Sequence, residues 1–224
     1  MYLSQIRLAT GSGGRGSLAA LLSAQAGSYD AHRLVWSLFG DASARERDFL
    51  FRVDRRPEGV TIHTLSHRLP ADETGLFEVE TKAVDLKFTV GQKLDFLLLA
   101  NPIRTRNGQR HDVVLDRIKA LRVEGASPDT MEVAQTEGAA WITRQGASAG
   151  FDVMSSTVRN YGQRQFAKPR GPRVKLAVME LSGQIQINDP HVFRDAVLRG
   201  FGKGKAYGCG LMLLRSVPAD GQAA

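Results

Sequence analysis

Residues 49–63 read Phe-Leu-Phe-Arg-Val-Asp-Arg-Arg-Pro-Glu-Gly-Val-Thr-Ile-His. Phe49, Phe51 and Val53 alternate with Leu50, Arg52 and Asp54, the period of two expected of a strand. Val60 and Ile62 alternate with Thr61 and His63 in the same way. The link Arg55-Arg-Pro-Glu-Gly59 is a hairpin-like turn. Upstream, a helix is predicted from about Tyr29 to Phe39, with Ser28 as N-cap and Gly40 just past its end. Leu18 to Gln25 is a short helical lead-in capped by Ser17, and Gly11 to Gly16 is a loop. Residues 2–9 form a strand in which Ile6 and Leu8 alternate with Gln5 and Arg7. Residues 70–75 are a loop or a degenerate helix, and residues 77–88 hold a further strand. The order is β-α-β-β-(α)-β, that of a ferredoxin-like domain.

The pattern restarts after the turn Val90-Gly91-Gln92. Leu94, Phe96 and Leu98 alternate, and Asn101-Pro102 ends that strand. Arg104, Arg106 and Arg110 follow in a loop, and residues 114–121 and 131–145 are helical in part. Residues 151–159 and 174–187 are strands, the second folding at Ser182-Gly183. Asp189 is a favourable N-cap followed by Pro190 at the first helical position, and Phe193, Ala196 and Val197 make one apolar face. A strand over 211–217 closes the chain. The expectation is an α+β protein of two tandem ferredoxin-like (RRM-like) domains, each β-α-β-β-α-β, over residues 1–90 and 91–224.

The chain has 224 residues, 42% of them apolar, a net charge of +7 and a pI near 9.8. A basic balance of this size suits an anionic partner. A single cysteine, Cys209, excludes an internal disulfide and a Cys-cluster metal site. His32, His63, His67, His111 and His191 form no zinc pattern, so neither metal nor cofactor is expected. No run of about 18 apolar residues exists and no signal peptide opens the chain, so a cytoplasmic protein without a membrane span is expected.

Two basic stretches stand out. Gly200-Phe-Gly-Lys-Gly-Lys-Ala-Tyr-Gly-Cys-Gly210 places five glycines around Lys203 and Lys205. Glycine admits positive φ and brings backbone N–H groups close to phosphate. The loop follows a helix and precedes a strand, the reverse of a Walker A loop. It therefore reads either as a helix C-cap with a tight turn or as a contact to a polyanion through Gly202, Lys203, Gly204 and Lys205. Between Val153 and Met179 there is no acid, whereas Arg159, Arg164, Lys168, Arg170, Arg173 and Lys175 lie there with Tyr161 and Phe166. Arginine forks match phosphates and base edges, and aromatic rings stack on bases, so this basic β-hairpin is expected to bind nucleic acid.

On the predicted helix, Tyr29 and His32 are three residues apart and therefore neighbours. His32 falls at the rim of the apolar arc of Ala31, Leu34, Val35, Leu38 and Phe39, with Arg33 adjacent as a phosphate-steering cation. The segment Ser-Tyr-Asp-Ala-His-Arg-Leu-Val-Trp-Ser-Leu-Phe-Gly, followed by Arg-Asp-Phe-Leu-Phe-Arg-Val, resembles the first helix and second strand of the CasE family. So do the Met-Tyr-Leu-Ser start, Leu-Leu-Leu-Ala-Asn-Pro and the closing glycine loop. CasE proteins are the CRISPR-repeat endoribonuclease subunits of the type I-E Cascade complex. The resemblance implies tandem ferredoxin-like domains and metal-independent cleavage of precursor CRISPR RNA at the base of the repeat stem-loop. It implies that mature crRNA is retained among the other Cascade subunits. It makes His32 the catalytic histidine and Tyr29 its partner, and assigns no catalytic lysine.

The chemistry expected of these residues uses the substrate's own 2′-hydroxyl as nucleophile, leaving a 2′,3′-cyclic phosphate and a 5′-hydroxyl. An imidazole with a reference pKa near 6.5 can act as base or acid at neutral pH, and Tyr29 as orienting donor or acid. The alternative is a non-catalytic subunit that holds repeat RNA. No RNP1 run is present, which argues against readout on an open sheet face.

Overall fold

The structure is a computed structural model that describes residues 1–8, 34–40, 48–56, 59–73, 75–166 and 174–217. The chain divides into two compact units. The first comprises Met1–Leu86, Arg164–Leu176 and Gly204–Leu211; the second comprises Lys87–Gln163, Ala177–Lys203 and the chain from Met212 onwards.

In the first unit, strands β1 (Tyr2–Leu8), β2 (Phe49–Arg56), β3 (Gly59–Ser66) and β4 (Phe77–Ala83) form a sheet in the order β2-β3-β1-β4. Pairing is antiparallel, and Ile6 stands opposite Ile62 on one side and Val79 on the other. This register places Ile6, Phe49, Phe51, Val53, Ile62, Phe77 and Val79 on one face. Val35, Leu38 and Phe39, from a helical turn over 34–37 and the two residues after it, pack with them into the core. Phe39 stacks on Phe49 with centroids 4.4 Å apart. The remainder of the predicted helix lies outside the described residues. Between β3 and β4 the described residues are bends and coil, the loop alternative of the sequence reading. Arg68 fastens this segment: it pairs with Asp48, donates to the Phe39 carbonyl and lies over the Phe39 ring.

In the second unit, strands β5 (Lys93–Ala100), β8 (Phe151–Phe166), β9 (Val174–Ile187) and β10 (Met212–Ser216) are ordered β10-β5-β9-β8. Counted within its own unit, each sheet has the order 4-1-3-2, so the α+β fold of two ferredoxin-like sheets is the observed one. Helices α1 (Val113–Val123), α2 (Thr130–Ala149) and α3 (Pro190–Arg199) accompany the second sheet. Each begins at an aspartate whose carboxylate accepts two backbone N–H bonds: Asp112, Asp129 and Asp189. Leu98, Trp141, Ile142, Phe151, Met179, Leu181, Ile185 and Phe193 are buried.

Two local expectations are corrected. The segment of Arg104, Arg106 and Arg110 is a hairpin, not a loop: β6 (Ile103–Arg106) and β7 (Gln109–Asp112) pair across Asn107-Gly108. Both tip residues have positive φ, 51° and 72°, the requirement of a two-residue Asn-Gly turn. Ser182-Gly183 is not a fold point, because β9 runs straight through it. A Cβ at Gly183 would collide with the Ser155 carbonyl oxygen, so glycine is there for close strand approach.

Candidate nucleic-acid interface

The glycine loop begins where α3 ends. The Gly200 N–H donates to the Ala196 carbonyl at 2.8 Å, so the C-cap reading holds for this end of the loop. All five glycines have positive φ. A Cβ at Gly202 would lie 3.0 Å from the Trp141 ring, so packing alone accounts for that glycine. Lys203 is exposed and bridges to Asn101 in an isolated strand contact. In the first unit, Lys205–Tyr207 make a 3-10 turn closed by the Tyr207 N–H to the Gly204 carbonyl at 2.8 Å. A Cβ at Gly208 would stand 3.2 Å from the Phe51 ring, which ties this turn to the β2 face.

The first unit also gathers arginines. Arg164, half-buried near the end of β8, lies close enough to Arg55 for its charge to matter. Burial first, then the Arg164 guanidinium, lowers the pKa of Arg55. A second guanidinium beside Arg55 adds positive potential there, which attracts an anion such as phosphate. Arg164 and Arg52 also act on Cys209, but burial outweighs them and pushes its thiol up to about 12. Sequence reasoning singled out Arg164 but not Arg55, whose only signal was its place in a turn.

On the face of the first sheet opposite the core, buried Arg52 donates from Nε to Asp54 Oδ1 at 2.5 Å. His63 Nδ1 lies 3.2 Å from Asp54 Oδ2. Burial alone would raise the Asp54 carboxyl. The neighbouring His63 and Arg52 outweigh it and hold the carboxyl below its ordinary value. His63 thus lies beside a carboxylate on a strand, although its buried Nδ1 makes no hydrogen bond of good geometry.

In the second unit, exposed Arg159 borders an open groove of about 530 Å³ on the sheet face away from the core. Asp95, Leu97, Gln184, Leu213 and Arg215 also line it, and Arg215 pairs with Asp95 at 2.7 Å. The groove presents no exposed aromatic ring, since its one aromatic residue, Phe96, is 3% exposed. Stacked bases need such rings, so this face lacks the means of RRM-type readout.

Of the residues singled out from sequence, the structure therefore places Arg164, Gly204 and Lys205 in the first unit and Arg159, Gly202 and Lys203 in the second. Tyr29, His32 and Arg33, together with Lys168, Arg170 and Arg173, lie outside the described residues. Among the described residues, no three His, Cys, Asp or Glu side chains converge as metal ligands, and no helix is long and apolar enough to cross a membrane.

Residues 1–216 match the family described as CRISPR associated protein. Over 191 residues the chain is 31% identical to the CRISPR system Cascade subunit CasE of Escherichia coli K12, covering 83% of this chain and 90% of that protein. The chain belongs to the CasE family. Among solved structures, Cas6e of Escherichia coli K-12 is 26% identical with a TM-score of 0.66, over 97% of this chain and all of that one. Thermus thermophilus Cse3, bound to an RNA representing a pre-cleavage complex, shares the fold with a TM-score of 0.72 at 22% identity, over 96% and 98% of the two chains.

Proposed function

We propose that this chain is the RNA-processing endoribonuclease of a type I-E Cascade complex, acting in antiviral defence. It binds the repeat stem-loop of precursor CRISPR RNA and cleaves at the base of the stem. It then stays on the mature crRNA beside the other Cascade subunits. The observation that carries this reading is the family match, which runs from residue 1 to residue 216 and so includes the helix segment and both basic stretches.

The cleavage needs no cofactor. The 2′-hydroxyl beside the scissile bond loses its proton and attacks phosphorus. The P–O5′ bond breaks, and the leaving oxygen takes up a proton. His32 serves one of these proton transfers, and Tyr29 orients the reacting groups or serves the other. Cations stabilise the charge that builds on the non-bridging oxygens. Arg33, adjacent to His32, is the cation offered for that task, and Arg164, Lys203 and Lys205 are offered for holding RNA. Arg159, Lys168, Arg170 and Arg173 extend the phosphate-binding surface, and Gly202 and Gly204 bring backbone near it.

The test is incubation with labelled cognate repeat RNA in EDTA. The expected products carry a 2′,3′-cyclic phosphate and a 5′-hydroxyl, and a 2′-deoxy substitution at the scissile position abolishes cutting. Cleavage of the deoxy substrate overturns the mechanism. Tight binding with no cleavage of the all-ribose substrate identifies a non-catalytic RNA-binding subunit instead.

A further inference from the structure

Hairpin β6–β7 has no part in the reading above. From Ile103 to His111 it carries Arg104, Arg106, Arg110 and one histidine, with no acid. We propose that this hairpin is a second phosphate-contacting element, a two-stranded basic ribbon that grips the sugar–phosphate backbone of a base-paired RNA stem. The proposal rests on the RNA-binding reading above.

Four observations support it. Arg104 through Arg110 are all exposed, so the cations cover no core surface. The nearby acids are already committed. Asp116 pairs with Arg104 and lies 3.9 Å from His111. Asp112 accepts from the Val114 and Leu115 N–H groups, from Tyr161 and from Gln163. Among the described residues, Arg106 and Arg110 make no ion pair within 4 Å, and Arg106 acts on Asp116 only at longer range, behind Arg104. A guanidinium fork without a carboxylate suits phosphate oxygens, which it meets in a bidentate manner.

The register then divides the cations. Arg104 pairs with His111 and Arg106 with Gln109, which places these four on one face. Thr105 and Arg110 stand on the other, beside Ile103 and Asp112. The ribbon thus carries one unpaired arginine on each face, an arrangement for straddling a phosphate strand rather than lying flat on a protein surface. Its Asn107-Gly108 tip is a fixed turn, so little ordering opposes binding.

Finally, the root of the ribbon is bolted to the basic arm. Tyr161 and Gln163 of β8 both donate to Asp112 Oδ2, at 2.6 and 2.9 Å. Strand alternation puts Arg159 on the same side of β8 as these two residues. Arg110 and Arg159 are thus each two residues from the Asp112–Tyr161 bond, Arg110 on the Asp112 face of the ribbon and Arg159 on the Tyr161 side of β8. The deep, narrow groove of an A-form stem bars side chains from its base edges, so the contact is to backbone and independent of sequence.

The experiment uses the full chain carrying Arg106→Ala and Arg110→Ala together. Binding is measured against salt concentration on the cognate stem-loop and on a stem of equal length with its base pairs exchanged. The expected slope of log K against log salt falls by about 1.4–1.8 for two lost phosphate contacts. Affinity falls to the same degree on both RNAs. Arg106→Lys with Arg110→Lys restores the slope. Thermal melting verifies folding, and the Gln pair at the same positions replaces the Ala pair if melting shifts. Wild-type affinity and slope in the double variant overturn the proposal. Failure of the wild-type chain to bind either stem overturns the RNA-binding reading itself.

Discussion

The Tyr161 hydroxyl of β8 donates to Asp112 Oδ2 at 2.6 Å, while Asp112 Oδ1 caps the first turn of α1. One carboxylate thus joins the end of β7, the start of α1 and the middle of the longest strand. It does so with both oxygens, accepting four hydrogen bonds in all. A short polar side chain at a cap position can hold a long basic strand in place because the cap itself is fixed by two backbone N–H groups.

Tyr161→Phe removes one of those bonds and leaves the ring. The expected cost is about 1 kcal/mol in chemical denaturation. A pH effect follows as well. Burial first, and then the hydrogen bond to Asp112, raises the phenol above its ordinary pKa of about 10. The folded state therefore holds the proton more tightly than the unfolded state. This contribution is fully present below about pH 10 and is lost as pH rises beyond it. Stability measured from pH 9 to 11 should fall less steeply in the Phe variant than in wild type.

Asp54 is linked to acid in the opposite sense. Its carboxyl is held below the ordinary value by His63 and Arg52 against the cost of burial. The stabilisation is present above about pH 4, the unfolded value, and is lost as pH falls through the lower folded value. Asp54→Asn should flatten the decline in stability below pH 4. At pH 7 it should cost about 3 kcal/mol, because it leaves the 4%-exposed Arg52 side chain without this counter-charge. Denaturation curves at the two pH values measure both effects.

Three close-packed glycines should rank in a fixed order when each is changed to alanine. At Gly183 the obstacle is the Ser155 backbone, which cannot yield within a sheet. At Gly146 it is the Phe151 carbonyl, near a helix end. At Gly138 it is the tips of Val158 and Met179, the Met179 sulfur at 2.8 Å, and methionine can rearrange. Overpacking of this kind costs about 1–3 kcal/mol, and more where backbone must move. Melting temperatures should therefore fall most for Gly183→Ala and least for Gly138→Ala.

These residues also mark where sequence stopped being informative. Alternation in β1, β2, β3 and β5 and the Asp189-Pro190 start of α3 were legible, because each is a local preference with a fixed period or cap. Gly183 was not, since a glycine that ends a strand and one that admits a neighbouring strand look alike without the partner strand. The β6–β7 hairpin carried a readable Asn107-Gly108 signal, hidden among arginines that lack the apolar alternation of a strand. The Arg52–Asp54–His63 network required knowing that β2 and β3 pair Arg52 with His63. Of the site, the glycine loop and the acid-free arm were visible as charge and composition. Arg55 beside Arg164 was not, because more than a hundred positions separate them.

Chemistry and affinity should separate by variant. His32→Ala removes a proton-transfer group but no permanent charge, so cleavage should fall by about 10²–10⁴-fold with repeat affinity little changed. Changing Arg164, Lys168 and Arg170 together to Ala should do the reverse. The salt slope should shrink by about 0.7–0.9 for each lost phosphate contact, with cutting preserved at saturating protein. Single-turnover cleavage and salt-dependent binding, measured on the same RNA, check both. Normal cutting by His32→Ala with collapsed binding would reassign that helix to RNA binding.

Cys209 is the one sulfhydryl in the chain, it is 1% exposed, and burial keeps it protonated to about pH 12. A disulfide reagent can reach it only when the packing around the C-terminal end of the glycine loop opens. The labelling half-time is consequently a built-in clock for that opening, requiring no engineered probe. Run with and without RNA, the clock reports whether the nucleic acid holds the glycine loop shut.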